Sequence, residues 1–136
     1  MNNFTTYKKF LDDKSIKYDT FAEAETMLCF RTSLDFIGNI NVFINLQDDD
    51  SVEIALDIAK GSSQTRRKLL DFLNRTPRKL CSFLVTESNS IRIMGSSILP
   101  NRNPDLLIDI VHHSLLLYLL DIAEEMHPKL MKIIYN

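Results

Sequence analysis

The stretch MLCFRTSLDFIGNINVFINLQDDDSVEIALDIA, residues 27–59, decides the fold, because its apolar residues recur with a period of two. Leu28, Phe30, Thr32, Leu34 and Phe36 fall on one face, and Arg31, Ser33 and Asp35 on the other. Ile37-Gly38-Asn39 is hairpin chemistry, since Gly38 and Asn39 both tolerate positive φ. Beyond it, Ile40, Val42, Ile44 and Leu46 share a face against Asn41, Phe43, Asn45 and Gln47. Asp48-Asp49-Asp50-Ser51 turns the chain again, and Val52, Ile54, Leu56 and Ile58 then alternate with Glu53, Ala55, Asp57 and Ala59. Three such runs predict an antiparallel meander with one core face and one largely polar face.

Outward from the meander the period changes. Phe4, Tyr7 and Leu11 stand at i, i+3 and i+7, with Phe10 beside them, and predict a helix over 3–14. Ile16–Tyr18 reads as a short strand and Asp19–Glu25 as a loop. Gly61-Ser62-Ser63 stops the sheet and caps a helix over 63–75, with Leu69, Leu70, Phe72 and Leu73 on its apolar stripe and Pro77 ending it. A second hairpin follows: Cys81–Glu87, a turn at Ser88-Asn89-Ser90, and Ile91–Leu99. Asn103-Pro104, a cap followed by proline at the first helical position, opens a long helix. It is expected to break or kink at His127-Pro128, with further turns to about Tyr135. The order is α-β-β-β-α-β-β-α with a short extra strand near the start, a single α+β domain over residues 1–136.

Length and composition bound the function. At 136 residues and 15.7 kDa the chain is one domain's worth, able to bury about two thirds of its surface without metal or disulfide support. A net charge of −2 sets up no global basic field for nucleic acid or membrane. Cys29 and Cys81 are too few for a disulfide scaffold or a Cys-rich zinc site, and read as buried free thiols. The longest apolar run, Leu115–Leu120, is far shorter than the ~20 residues a membrane span needs. The opening MNNFTTYKKFLDD has no apolar run of signal-peptide length. The expectation is a cytoplasmic protein in a reducing compartment.

Catalytic and cofactor signals are sparse. Gly38, Gly61 and Gly95 are too scattered to build a P-loop or a dinucleotide fingerprint. Asp48-Asp49-Asp50 with Glu53 lacks the glycine and downstream glutamate of a calcium loop, and reads as a hairpin turn. Asp109 and His113 stand i, i+4 on one helical face, but no further residue completes a catalytic or metal constellation, so they read as a wet helical face. No catalytic residue, cofactor or metal is expected.

Two surfaces remain. Residues 19–57 hold nine acids and the single base Arg31. By contrast, residues 60–79 hold Lys60, Arg66, Arg67, Lys68, Arg75, Arg78 and Lys79 against Asp71 alone. Arg66-Arg67-Lys68 opens a helix, where the macrodipole disfavours cations, which points to an anionic partner. No aromatics are interleaved for base stacking, so a partner within the domain or in another protein is favoured over nucleic acid. The last helix, wound at about 100° per residue, puts Leu107, Ile108, Val111, Leu115, Tyr118, Leu119, Ile122 and Met126 in a core stripe. A second strip, Leu106, Ile110, Leu116, Leu117 and Leu120, is either covered by the first helix or left as a contact patch.

This pattern resembles the type III secretion chaperone-like fold, and within it the YbjN-like bacterial proteins described as sensory transduction regulators. The likeness lies in the meander Met27–Ile58, in LLDFLNRTPRKLCSFLVTESNSIRI (Leu69–Ile93) with its helix, asparagine-containing bend and hairpin, and in the closing helix LLLYLLDIAEEMHPKL (Leu115–Leu130). The resemblance implies a small, often dimeric, non-enzymatic module that binds a client or regulatory protein, with no catalytic residues to carry over. The expectation is therefore a homodimer with chaperone-like binding surfaces; the alternative is a nucleic-acid binder using the basic segment 60–79.

Overall fold

The computed structural model describes residues 2–47, 50–76, 78–99 and 103–135. The elements are α1 (Asn3–Asp13), β1 (Tyr18–Phe21), β2 (Ala24–Leu34), β3 (Gly38–Gln47), β4 (Ser51–Lys60), α2 (Arg66–Asn74), β5 (Cys81–Val85), β6 (Ser90–Ile98), α3 (Pro104–Ile110) and α4 (Leu116–Ile134). A π-helical turn, Val111–Leu115, joins α3 to α4, so that Pro104–Ile134 forms one rod. The strands make one six-stranded antiparallel sheet in the order β1-β2-β3-β4-β6-β5.

The alternation read from the meander is the alternation found. Leu28, Ile44, Ile54 and Gly95 lie opposite one another across β2, β3, β4 and β6. Phe30, Val42, Leu56 and Ile93 form the neighbouring row. All these apolar side chains are buried beneath the helices. On that face α1 packs against β3 and α3, α2 against β5 and α4, and α4 against β4 and β6. The rod approaches β6 so closely at Gly95 that an added Cβ would stand 3.1 Å from a Leu119 methyl. Asn2 caps α1 by accepting from the Thr5 N–H, and Asn103 caps α3 by accepting from Asp105 and Leu106.

Several boundaries depart from expectation. The segment read as a loop holds β1 and the start of β2: β1 is an edge strand, largely exposed, and with no face to bury it carries no apolar alternation. Phe36 is fully exposed and not on the core face, because β2 ends at Leu34 and pairs there with Gly38. Asp35-Phe36-Ile37 is the loop, with Phe36 at φ 68° and Gly38 at φ 90°. Helix α2 starts later than expected, since Ser62 and Thr65 bond each other's backbone in a turn before it. It ends at Asn74; Pro77, read as its terminator, lies outside the described residues, as do Asp48 and Asp49 of the acidic turn. In the second hairpin β5 stops at Val85, and Thr86 closes the turn by accepting from Asn89 and donating to Ser90.

The rod carries the largest corrections. Pro128 does not break it: α4 continues to Ile134 with Pro128 inside. Proline removes the bond to the carbonyl four residues back, at Glu124, and both residues face solvent, where water can serve that oxygen. The π turn supplies the second correction. A π turn admits one extra residue, which delays the helical phase by about 100°. The buried set is Leu107 and Val111, then Leu116, Leu119, Ile122, Ala123, Met126 and Leu130, so the centre of the stripe beyond the turn lies one residue later than an uninterrupted helix would put it. Leu116, read as part of the outer strip, is therefore in the core at 3% exposed. This rod is long and apolar enough to cross a membrane by length and composition, a property the count of uninterrupted apolar residues missed. Its apolar stripe lies on the sheet.

A candidate protein-interaction surface

The π turn also divides the outer strip. Leu106 and Ile110 share an edge of the rod with Ser114 and Tyr118, whereas Leu117 and Leu120 are carried to another side. Leu117 is half-exposed, Leu120 and Ile110 are partly buried, and Leu106 is 38% exposed.

The first of these edges borders a groove of about 320 Å³, walled by Leu80, Ile110, Leu115 and Tyr118 with Ser96 and Ser97 of β6. Strand β5 reaches only to Cys81 opposite Gly95, so β6 runs on past it to Ile98. The Tyr118 hydroxyl donates to the Lys79 carbonyl and fixes the approach to β5. Leu80 then turns out at φ 65°, 76% exposed, and separates this groove from a hollow of about 340 Å³ on the helix-free face, beside Ser82 and Met94. Ile98, at the end of β6, is 82% exposed. An apolar corner therefore wraps around the end of β5 and β6, and sequence reading missed its most exposed members because Leu80 and Ile98 lie at segment ends, outside any periodic stripe.

The helix-free sheet face has its own apolar row. Cys29, Phe43, Ala55 and Met94 lie opposite one another across four strands, each partly buried although no helix covers them among the described residues. Asp57 and Arg92 pair across β4 and β6 beside this row, with two hydrogen bonds of 2.7 and 3.1 Å. A broader hollow of about 780 Å³ lies toward β1, lined by Asp19, Phe21, Cys29, Arg31 and Phe43 among others.

The basic segment is not one surface. Arg66 is spent inside the domain: its guanidinium donates to the Thr86 and Val85 carbonyls at 2.6 and 3.2 Å and to the Asn89 side chain at 3.1 Å. The partner sought for a cation at the start of α2 is thus the β5–β6 turn. Arg78 pairs with Glu125 of α4. Arg67, Lys68, Arg75 and Lys79 stand exposed. Arg66→Met is expected to cost about 1–3 kcal/mol, since it removes the three hydrogen bonds that tie α2 to the β5–β6 turn, while Arg67→Met and Lys68→Met stay within about 0.5 kcal/mol. Urea unfolding of the three variants checks this; equal costs would contradict it.

Titratable groups offer little for catalysis. Burial pushes both the Cys29 and Cys81 thiols up, and nearby Asp19 adds to the effect at Cys29, so neither is primed as a thiolate. Asp109 and His113 are both exposed. Among the described residues no group of three His, Cys, Asp or Glu is placed to hold a metal ion. His112 is engaged, its Nδ1 lying 2.8 Å from the Tyr7 hydroxyl.

No protein-family model matches the chain, and none of the curated proteins matches it in sequence. Among solved structures, the Yersinia pestis type III secretion chaperone SycH, crystallised in complex with a stable fragment of YscM2, is similar in fold. The match has a TM-score of 0.54 at 12% identity and covers 91% of this chain and 98% of that one. The fold is therefore the α+β type III secretion chaperone-like fold expected from the meander, hairpin and closing helix.

Proposed function

We propose that the chain is a non-enzymatic protein-binding module that acts as a homodimer and holds an apolar segment of a client or regulatory partner, in the manner the YbjN-like resemblance implies. The observation that carries this reading is the apolar corner. Leu80, 76% exposed, walls a groove with Ile110, Leu115 and Tyr118, and Ile98, 82% exposed, ends β6 one residue beyond the groove's Ser97. Leucine at positive φ costs backbone energy, and its exposure returns nothing to folding, so a binding role accounts for both. The shared fold with a chaperone solved in complex with a protein fragment supports the same reading. Raised thiol pKa values argue against nucleophilic catalysis by cysteine.

Fluorescence anisotropy with a labelled, permanently unfolded polypeptide (reduced and carboxymethylated) and with a labelled DNA duplex tests it. The polypeptide is expected to bind at low and high salt alike, and Leu80→Asp to abolish that binding. Duplex binding that weakens by about 0.9 decades per decade of salt for each phosphate contacted would replace this reading with nucleic-acid binding through Arg67, Lys68, Arg75 and Lys79. Binding of neither would overturn it.

A further inference from the structure

We propose that the Tyr7–His112 pair is a pH-sensitive latch that holds α1 on the C-terminal rod and releases it as the medium turns mildly acidic. This inference is independent of the reading as a binding module.

Tyr7 has no exposed surface, and its hydroxyl meets Nδ1 of His112 at 2.8 Å. His112 belongs to the π turn, and its ring sits in a cluster with Tyr7 and Phe10 of α1, Phe30 of β2 and His113 of the rod. The groups facing it from each packed element are thus a buried phenol and a phenyl from α1, a phenyl from β2, and one imidazole from the rod itself. Among the described residues, the charge that acts on the ring comes from His113.

The tautomer follows from the tyrosine. A buried hydroxyl needs an acceptor for its hydrogen, and Nδ1 is that acceptor when the imidazole is neutral with its proton on Nε2. Protonation puts a hydrogen on Nδ1 as well. The bond then reverses, His112 donating to the Tyr7 oxygen, and the tyrosine hydrogen is stranded in the core. Burial, and then the neighbouring His113, hold the His112 pKa below its ordinary 6.5. The sign is fixed by this. Undocking returns the ring to water and its ordinary pKa, so the open form binds more protons and the latch is complete above pH ~6.5 and weakens as the pH falls below it.

Hydrogen exchange of α1 amides, corrected for intrinsic rates, between about pH 7.5 and about pH 5.5 tests the latch. The opening constant of α1 is expected to rise by up to about tenfold per pH unit below ~6.5. Amides of β3 and β4 are expected to stay protected. His112→Asn keeps an acceptor for Tyr7 but does not titrate, and should abolish the rise, whereas His113→Asn should retain it. A wild-type opening constant that does not change with pH, or the same rise in His112→Asn, would overturn the proposal. If His112→Asn fails to fold, a nitrogen-resolved NMR titration of wild-type His112 decides. A ring pKa below 6.5 with α1 amide shifts following it supports the latch, and a ring pKa at or above 6.5, or α1 shifts that do not follow it, overturns it.

Discussion

Leu116→Glu is expected to unfold the domain at neutral pH, while Leu117→Glu, one residue on, leaves it folded. Leu116 is 3% exposed between the rod and the sheet, and Leu117 is 50% exposed on the far side. A carboxylate at 116 would be buried with no partner charge, a penalty of several kcal/mol. Against a total stability of about 5–15 kcal/mol that is enough to abolish folding or nearly so. At 117 the same carboxylate reaches water, and the cost should stay within about 0.5 kcal/mol. Thermal melts of both variants by circular dichroism decide. A folded Leu116→Glu, or an unfolded Leu117→Glu, would show that the π turn does not set the phase of α4.

Gly95→Val has the next largest expected effect, about 3 kcal/mol of destabilisation, seen as a fall of roughly 10 °C in Tm. A Cβ at Gly95 would already stand 3.1–3.2 Å from methyls of Leu119 and Leu115, and valine adds two methyls where Leu119 is fully buried. The rod cannot rise without lifting Leu116, Leu119, Ala123 and Met126 off the sheet together. Leu119→Ala alone should cost about 2–5 kcal/mol by opening a cavity. The double variant Gly95→Val/Leu119→Ala should be milder than the sum of the two by about 1 kcal/mol or more, because valine fills the space that Leu119 vacates. Strict additivity in urea unfolding would contradict the close approach of rod and strand.

The residues that were legible in the sequence are those that obey a period. Val42, Ile44, Ile54 and Leu56 alternate because one face of the sheet is buried and the other is bare, and that alternation places the meander before any coordinates. The Asn103-Pro104 cap is equally local, a side chain and a fixed φ acting within one turn. Departures occur where a tertiary contact outweighs the local signal. Phase in the rod slips at Val111–Leu115, since two apolar half-stripes five residues apart both reach the sheet only with one extra residue between them. Proline at 128 is tolerated because the wet side of α4 happens to receive it. Of the candidate interaction residues, Ile110 lines the groove, Leu106 lies on the same edge of the rod one turn before it, Leu117 and Leu120 lie elsewhere, and Leu116 is inside. Arg66 looked like a free cation because its acceptors are backbone carbonyls about twenty residues away, which no spacing rule announces.

Light scattering behind size exclusion, at low and high salt, tests the central claim most directly. A homodimer predicts a mass near twice 15.7 kDa that salt does not reduce, and that Leu80→Asp, at the client-binding corner, leaves unchanged along with the circular dichroism spectrum. A wild-type chain that elutes at 15.7 kDa under both conditions would contradict the homodimer.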